Sequence, residues 1–430
     1  MIKKLSLLLA ICFCLICVSF PFSLKAAEAT NEAPLANAAC VYNVENDTFL
    51  YAKNIDEFIY PAATVKLMVA ILALEYYRND LDQEIIVKED WLAEVSGIRI
   101  NLRRDEIVTA REMIYAVICG SANDAAIVLA YDMAGGQDGL AELMNERAEA
   151  MGMTHTHFTN PTGMHDPEMV TTVRDLTILA SAARSYDTIL SVSSYDKYEM
   201  PSTNKTGMRT IWNRNYYFAS NVEYKYIWSV PEGLNYGYTD EAGYCLITSR
   251  KDNGLTNIVI VMGEPQAKEE HTFYAYSEAS GLLKWCYQAY DYQKLLTTSD
   301  MVCEIPVSLS TKVDYVSLFP SETVELFLPV DLDFDTDIRY EWHLTEDHLT
   351  APVSEGQVCG KLTIYFHDEN LGEYDLITRN SVDRNNFLYV INLLKETTKT
   401  TGFRMILIVA FLGAILFVGY LLILRSVKKR

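Results

Sequence analysis

Basic residues are few in this chain. Lys and Arg number 36 against 57 Asp and Glu, which gives the 430 residues a formal net charge of −21. A protein that binds nucleic acid must neutralise phosphates with clustered Lys and Arg. The charge balance therefore argues against a nucleic-acid partner. The length and a hydrophobic content of 50% are those of ordinary globular material, with room for two domains and additional segments.

Cysteine pairs of the C-x-x-C kind are also missing. Six cysteines remain after the first 17 residues, and they are widely scattered: Cys40, Cys119, Cys245, Cys286, Cys303 and Cys359. An even number permits disulfides in an exported chain. However, Cys119 and Cys245 lie in apolar segments, where a buried free thiol is the commoner outcome.

Complete ligand sets for a metal ion are absent as well. His155 and His157 form a pair without a third ligand nearby, and a metal site needs more convergent ligands. The alternating aspartates of 331–337 resemble a calcium loop, but Thr336 stands where an EF-hand needs Gly and Trp342 where it needs Glu. We therefore predict no metal site and no cofactor.

The first 29 residues have the pattern of a secretory signal peptide. Two lysines precede an apolar run from Leu5 to Phe22, and the small-residue site Ala27-Glu28-Ala29 follows. Cleavage after Ala29 is expected, so the mature chain would be exported.

The other end of the chain predicts a membrane anchor. Met405 to Leu424 is an uncharged run of twenty residues, long enough as a helix to cross roughly 30 Å of hydrocarbon. We predict a transmembrane helix at 403–425 and a basic cytoplasmic tail at 426–430. With the signal peptide, this places the bulk of the chain outside the cytoplasm.

Between these ends the pattern of apolar residues changes near Leu296. Before it, the sequence predicts strands at 39–43, 48–51, 244–249 and 257–262 and helices at 61–74, 113–119, 121–134, 140–151, 171–184 and 272–290. After it, short alternating segments such as 312–318, 324–328 and 361–366 predict strands. We expect one domain at 30–297 and a β-rich domain at 298–395.

One predicted helix carries a lone charge. In the stretch from Tyr60 to Leu74, Pro61 suits the first turn of a helix. The predicted helix is apolar on all sides except for Lys66. A helix without a polar face is normally buried. Either Lys66 is buried, with its ammonium held by polar neighbours or its pKa lowered, or its side chain snorkels to water.

The spacing around Lys66 suggests a catalytic pattern with one residue missing. Residues three apart share a helix face, so position 63 lies next to Lys66. An S-x-x-K tetrad uses this geometry to set a nucleophilic serine against a lysine base. Position 63 is Ala, and the hydroxyl of Thr64 is one residue out of register, a rotation of about 100°.

Pro61 to Met68 nevertheless resembles the first motif of the penicillin-binding D-alanyl-D-alanine carboxypeptidases, Pro-Ala-Ser-x-x-Lys-hydrophobic-Met. Ser121-Ala-Asn123, between two predicted helices, is similar to their Ser-x-Asn motif. His157 to Gly163 is similar to their His-Phe-x-Asn-Pro-x-Gly signature.

The third motif of that family is altered. Gly233 to Leu246 resembles Gly-Leu-Lys-Thr-Gly-Tyr-Thr-x-x-Ala-Gly-Tyr-Cys, but Asn235 and Tyr236 replace Lys-Thr and only Gly237 is kept. A literal Lys-Thr-Gly at 205–207 lies in a polar connector, and we interpret it as a chance match.

The resemblance implies an α+β fold. Its first part would be a β-lactamase/transpeptidase-like domain, an antiparallel sheet with helices, followed by a small β-rich domain and the transmembrane helix. In active relatives the tetrad serine attacks the carbonyl before the terminal D-Ala of a peptidoglycan stem peptide, and the tetrad lysine takes the proton of that serine. The Ser-x-Asn pair relays protons and orients the substrate. The Lys-Thr pair of the third motif binds the terminal carboxylate. By position this implies catalytic roles for Lys66, Ser121 and Asn123, substrate contacts for Asn235, Tyr236 and Gly237, and Ala63 at the nucleophile position.

Two function classes follow. Deleting the nucleophile of a serine hydrolase costs on the order of 10⁶ in turnover, which favours a pseudoenzyme with a binding or scaffolding role. Its partner would be a stem peptide or a cell-wall or membrane protein. The alternative is an active carboxypeptidase that trims stem peptides with Thr64 or Ser121 as a displaced nucleophile.

Overall fold

The computed structural model describes residues 35–93, 95–219, 231–265 and 274–427. The predicted signal peptide and residues 428–430 of the predicted tail lie outside these ranges. The chain divides into two compact units, Met1–Asp291 and Tyr292–Arg430, and each is described by itself.

A five-stranded antiparallel sheet organises the first unit. The described strands are β1 Ala38–Asn43, β2 Thr48–Lys53, β3 Glu84–Ile86, β4 Ile107–Thr109, β5 Lys197–Met200, β6 Arg209–Trp212, β7 Glu232–Thr239, β8 Gly243–Asp252 and β9 Leu255–Glu264. The main sheet has the order β2-β1-β9-β8-β7, while β3 pairs with β4 and β5 with β6. Strand β7 therefore lies at an edge of the main sheet.

Both predicted hairpins of this sheet are present. Strands β1 and β2 pair antiparallel, and so do β8 and β9. The second hairpin turns at Asn253 and Gly254, whose φ angles are 49° and 84°. Positive φ at both central residues matches the twist of a two-residue hairpin and favours an Asn-Gly pair.

The helices of the first unit match the predicted ones in position, with one addition. They are Lys66–Tyr76, Ala110–Gly120, Asn123–Ala134, Gln137–Met151, Val173–Arg184, Asp187–Ser193 and Tyr274–Ala289, with short 3₁₀ turns at Ala62–Val65 and Asp90–Leu92. Thr109 and Glu112 exchange the two hydrogen bonds of the predicted capping box. The short helix Asp187–Ser193 and the β5/β6 hairpin were not predicted, because strands of four residues carry too little periodicity.

The helix Lys66–Tyr76 lies at the centre of this unit. It contacts the helices Ala110–Gly120, Asn123–Ala134, Gln137–Met151 and Val173–Arg184. Every residue of the helix from Lys66 to Leu74 is buried except Leu72. The all-round apolar pattern of the sequence is explained by this position.

The second unit is rich in strands, as predicted. The strands are β10 Tyr290–Leu296, which begins two residues before the unit, β11 Cys303–Ser308, β12 Tyr315–Pro320, β13 Val324–Pro329, β14 Ile338–Leu344, β15 Leu349–Thr350, β16 Val358–Phe366 and β17 Glu369–Thr378. Six of them form a sheet in the order β14-β16-β17-β12-β11-β15. Together, the two units confirm the predicted α+β fold class.

Two helices follow the last strand. Asn386–Lys399 was not predicted and begins inside the segment expected to be β-rich. The side chain of Asn385 accepts hydrogen bonds from the backbone of Phe387 and Leu388 and so caps this helix. Thr401–Val427 contains the predicted transmembrane run, and among the described residues it is the one helix long and apolar enough to cross a membrane, judged by length and composition.

Candidate active site

The sequence motifs meet at one cavity of about 280 Å³ in the first unit. Its walls are the start of the Lys66 helix, the turn between two helices, a loop that follows Asn160, and strand β7. The lining residues are Ala63, Lys66, Gly97, Ile98, Ser121, Asn123, Thr162, Gly163, Met164, Arg214, Tyr216, Tyr236, Gly237, Tyr238 and Thr239. Six of the seven positions assigned from the resemblance are therefore on the cavity wall. The seventh, Asn235, is buried and donates a hydrogen bond to the carbonyl of Ala63, which is on the wall.

Lys66 is buried at this cavity. Its side chain is 2% exposed, and Nζ donates a hydrogen bond to the Thr162 carbonyl at 2.6 Å. Burial lowers the pKa of the ammonium from 10.5 to about 7. The snorkelling alternative is wrong, because Lys66 is buried and its ammonium donates to a backbone carbonyl inside the protein.

The position next to Lys66 offers no hydroxyl. Ala63 lines the cavity, while Thr64 is fully buried and is absent from the cavity wall. The Thr64 hydroxyl donates to the carbonyl of Pro61 at 2.5 Å. Both the register and this hydrogen bond direct Thr64 away from a ligand in the cavity.

The backbone just before Ala63 is strained. Ala62 has a φ of 48°, a left-handed conformation that costs a residue with a Cβ of order 1–3 kcal/mol. Two glycines pack against it. A Cβ at Gly163 would lie 2.1 Å from the Ala62 carbonyl oxygen, and one at Gly237 would lie 2.7 Å from the Ala63 nitrogen. Such strain persists where the surroundings fix it, and it is commonest at functional sites.

Ser121 and Asn123 face the cavity from the turn between two helices. Ser121 has a left-handed φ of 52°, and its hydroxyl is buried without a hydrogen-bond partner among the described residues. Asn123 donates from Nδ2 to the Ser96 carbonyl at 2.7 Å. Within the described chain, the Lys66 ammonium donates to the Thr162 carbonyl. A buried hydroxyl without a partner leaves a hydrogen-bonding group available to a ligand.

The His-Phe-x-Asn-Pro-x-Gly segment supplies the loop over Lys66. The Asn160 side-chain oxygen accepts from the backbone nitrogens of Thr162 and Gly163 at 3.1 and 2.9 Å. This turn places the Thr162 carbonyl against Lys66. The two histidines act through their backbones: His155 N–H donates to Asp175, and His157 pairs with Val170.

The altered third motif lies on β7. Asn235 is buried, and its Nδ2 donates to the carbonyls of Ala63 and Thr64 at 3.3 and 3.4 Å. Its amide therefore binds the protein's own helix start. Tyr236 stacks on Tyr276, with ring centroids 6.0 Å apart, and burial raises the pKa of its phenol far above the ordinary value. The Lys-Thr-Gly at 205–207 is not on the cavity wall.

Arg214 was missed by the sequence analysis. It lines the cavity from the segment after β6, and its backbone N–H donates to the Cys119 carbonyl at 3.1 Å. No motif marks it, because its approach to the cavity depends on the β5/β6 hairpin. Tyr216 and Tyr238 also line the cavity and were not assigned a role from the sequence.

We predict that Lys66→Met stabilises the fold at pH 6 by about 1–4 kcal/mol, as when a buried charge is replaced by an apolar side chain. Between pH 7 and 10.5 the unfolded chain binds more protons at Lys66 than the folded chain, so wild-type stability rises with pH across this window. The advantage of the variant should therefore shrink from pH 7 upward. Urea unfolding at pH 6 and pH 9 measures it.

The matched control is Lys205→Met, since Lys205 is exposed; it should change stability by less than about 0.5 kcal/mol at either pH. A loss of several kcal/mol in Lys66→Met at pH 6 would mean instead that Lys66 anchors a polar network that the fold requires.

Comparison with known proteins gives the family. Residues 25–266, more than half of the chain, match the family described as D-alanyl-D-alanine carboxypeptidase (Peptidase S11). Residues 290–384 match the C-terminal domain of penicillin-binding protein 5. The chain is 27% identical to the D-alanyl-D-alanine carboxypeptidase DacF of Bacillus subtilis over 360 residues, which cover 82% of this chain and 87% of that protein.

Solved structures agree. Penicillin binding protein 6B from Escherichia coli is similar in fold, with a TM-score of 0.60 and 22% identity, covering 83% of this chain and 99% of that one. Penicillin-Binding Protein D2 from Listeria monocytogenes, solved in an ampicillin-bound form, is 28% identical with a TM-score of 0.50, covering 59% of this chain and 98% of that one. The chain therefore belongs to the Peptidase S11 family of D-alanyl-D-alanine carboxypeptidases and carries the C-terminal domain of penicillin-binding protein 5.

Proposed function

We propose that this protein is a catalytically inactive member of its family that binds the D-Ala-D-Ala end of a peptidoglycan stem peptide. One observation carries the proposal: Ala63 occupies the nucleophile position in a cavity that keeps four of the family's other positions, while Asn235 and Tyr236 replace its Lys-Thr pair. Lys66, Ser121, Asn123 and Gly237 line that cavity together with Ala63. The ligand is inferred from the relatives, whose names describe D-alanyl-D-alanine carboxypeptidases.

Retention of the strained backbone supports a binding role. A protein that used this domain only as a structural support would gain stability by relaxing Ala62, which has a φ of 48°. Instead, the conformation is held between Gly163 and Gly237, each of which leaves no room for a Cβ. We infer that the shape of the cavity still serves a ligand.

We further propose that the protein acts outside the cytoplasm and is anchored in the cell membrane by the helix Thr401–Val427. The apolar composition of that helix and the signal-like first 29 residues support this arrangement. The segments proposed are a signal peptide at 1–29, the binding domain at 30–297, the β-rich domain at 298–395, the membrane helix at 403–425 and the tail at 426–430.

An active enzyme with Ser121 as nucleophile is the second candidate. One observation favours Ser121 over Thr64: Ser121 lines the cavity, and its buried hydroxyl has no partner among the described residues. Lys66, which lines the same cavity and has a pKa of about 7, could serve as the base. Ser121 is not at the position of the family's nucleophile, and misplacing a nucleophile by about 1 Å can cost roughly a hundredfold in rate.

The experiment compares binding with turnover. Full-length protein in detergent is titrated by calorimetry with a short peptide ending in D-Ala-D-Ala, and with the same peptide lacking both D-Ala residues as the control. Released D-Ala is measured in the same samples. We expect saturable binding of the first peptide only, with no D-Ala released above the buffer rate.

Two results would contradict this proposal. D-Ala release that is abolished by Ser121→Ala would establish the displaced-nucleophile enzyme. Equal heats for both peptides would show that the cavity no longer recognises D-Ala-D-Ala.

A further inference from the structure

The second unit has a cavity of its own. It measures about 250 Å³, and its described lining shares no residue with that of the cavity at Lys66. Its walls come from strand β12 with the turn before it and from residues 380–383, which follow β17. The function proposed above makes no use of this cavity, so its lining can be examined for a ligand of its own.

An aromatic strip lines one wall of this cavity. Tyr315, Ser317 and Phe319 alternate along β12 and therefore face the same side of the sheet. Leu318, between two of them, is fully buried on the other side. The ring of Tyr315 is 59% exposed. A large ring left in solvent beside a cavity offers a contact surface to a ligand.

The wall formed by residues 380–383 is held in place by backbone hydrogen bonds. Val382 and Val353 exchange two of them, at 2.9 and 3.0 Å. Just after this wall, the Asn385 N–H donates to the Leu309 carbonyl at 2.7 Å and so ties the segment to the turn before β12. A cavity with fixed walls loses less conformational entropy when a ligand binds.

The charges of the described lining balance. Lys312 and Asp383 form an ion pair of 3.2 Å across the cavity residues, and the other described lining residues are uncharged. Because the one cation is neutralised by the one anion, this lining has no net charge. It therefore suits an uncharged ligand better than a phosphate, a carboxylate or an amine.

Polar groups for such a ligand are nevertheless present. Asn380 and Ser381 are exposed on the wall, and within the described ranges neither side chain has a hydrogen-bond partner. Ser317 donates to Glu304 at 3.2 Å and keeps its lone pairs for a further bond. Val313, which is 40% exposed, adds an aliphatic contact beside them. Amide, hydroxyl, aromatic and aliphatic groups thus share one uncharged surface.

We propose that this cavity binds an oligosaccharide chain of N-acetylated amino sugars. A sugar ring has an apolar face of C–H groups, which stacks on the ring of Tyr315, and a rim of hydroxyls, which bond to Asn380 and Ser381. The methyl of the acetamido group packs against Val313. At about 3.3 Å per residue, the strip from Tyr315 to Phe319 is about 13 Å long, which favours several linked rings over a single one.

The test is a calorimetric titration of the full-length protein with chitotetraose, a β-1,4-linked tetramer of N-acetylglucosamine. Cellotetraose is the matched control, since it has the same linkage and a hydroxyl in place of each acetamido group. A zwitterionic detergent is used, because a detergent with a sugar headgroup would compete for the cavity.

The variants are Tyr315→Ala, Tyr315→Phe, Asn380→Ala and the control Trp342→Ala. Trp342 is an aromatic residue of the same sheet that is 46% exposed and is not on the cavity wall. Thermal unfolding checks that each variant is folded.

We expect wild type to bind chitotetraose saturably and about fourfold or more tightly than cellotetraose, the ratio for burying one methyl group. Tyr315→Ala should weaken binding by about tenfold, whereas Tyr315→Phe keeps the ring and should stay within about threefold of wild type. Asn380→Ala should weaken binding by about fivefold through the loss of one neutral hydrogen bond. Trp342→Ala should behave as wild type.

The proposal is overturned if wild type shows no saturable binding of chitotetraose or if Tyr315→Ala binds it as well as wild type does. Equal affinity for cellotetraose would overturn the recognition of the acetamido group. A proline-rich peptide is titrated in parallel, because aromatic-lined grooves also bind such peptides. Binding of that peptide without binding of the sugar would overturn the choice of ligand.

This proposal is independent of the cavity at Lys66. Tyr315→Ala should leave binding of the D-Ala-D-Ala peptide unchanged, so a negative result with chitotetraose leaves the proposed function standing.

Discussion

Ala63→Ser alone is expected to leave this protein without carboxypeptidase activity, while Ala63→Ser combined with Asn235→Lys and Tyr236→Thr releases D-Ala. The serine would restore a hydroxyl on the cavity wall beside Lys66, whose pKa of about 7 suits a base. The substrate carboxylate would still meet the neutral amide of Asn235, which is bound to the helix start. Catalysis needs the nucleophile and the carboxylate anchor in one geometry.

The magnitude of each defect supports this expectation. Loss of the nucleophile costs on the order of 10⁶ in turnover. A carboxylate anchored elsewhere misplaces the scissile carbonyl, and about 1 Å of misplacement costs roughly another hundredfold. Repairing position 63 alone leaves the second defect in place, and repairing 235 and 236 alone leaves the first.

The measurement is the rate of D-Ala release by wild type, Ala63→Ser, the double variant at 235 and 236, and the triple variant. Tyr236 stacks on Tyr276, so Tyr236→Thr removes ring packing and lowers stability. Circular dichroism therefore accompanies each assay, and Ala63→Ser with Asn235→Lys is included as a variant that keeps the ring. Turnover by Ala63→Ser equal to that of the triple variant would show that the changes on β7 are harmless to substrate binding.

Much of the site could be predicted because its residues lie at short, fixed spacings. Residues 63 and 66 share a helix face whatever surrounds the helix. The apolar pattern around Lys66 requires burial, and the observed exposure of 2% follows from it. Turn chemistry likewise predicted the hairpin between β8 and β9, since Asn253-Gly254 suits positive φ at both positions.

The position of Arg214 at the cavity could not be predicted from the sequence. Nothing in its neighbours along the chain requires a cation, and its place at the cavity is set by contacts from distant segments, such as the Cys119 carbonyl. The strained φ of Ala62 was missed for a similar reason. Pro61 and Ala62 predict a regular helix start, whereas the close approach of Gly163 and Gly237 holds Ala62 at a φ of 48°. Local propensity is overridden by tertiary packing in both cases.

The helix Asn386–Lys399 was also not predicted, although the sequence contains a signal for it. The signal was local, because Asn385 is a good N-cap and accepts two backbone hydrogen bonds. The segment was assigned to the β-rich domain by its position between strands and the membrane helix. The sequence analysis did not use this cap and extended the β-rich domain to residue 395.

Ampicillin should form no covalent adduct with this protein. The β-lactam carbonyl needs a nucleophilic hydroxyl beside a base, and Ala63 supplies only a methyl group next to Lys66. The Thr64 hydroxyl is buried and donates to the Pro61 carbonyl. Ser121 also lines the cavity, and its hydroxyl has no partner among the described residues, but its reaction would require catalysis from a displaced position.

Intact mass spectrometry of the full-length protein after incubation with ampicillin tests the loss of catalysis most directly. Penicillin-Binding Protein D2 from Listeria monocytogenes, solved in an ampicillin-bound form, is the positive control for the reagent. We predict an unchanged mass for wild type under conditions in which the control protein is fully labelled. A stoichiometric increase by the mass of ampicillin, mapped by peptide sequencing to Ser121, Thr64 or any other hydroxyl, would contradict the account.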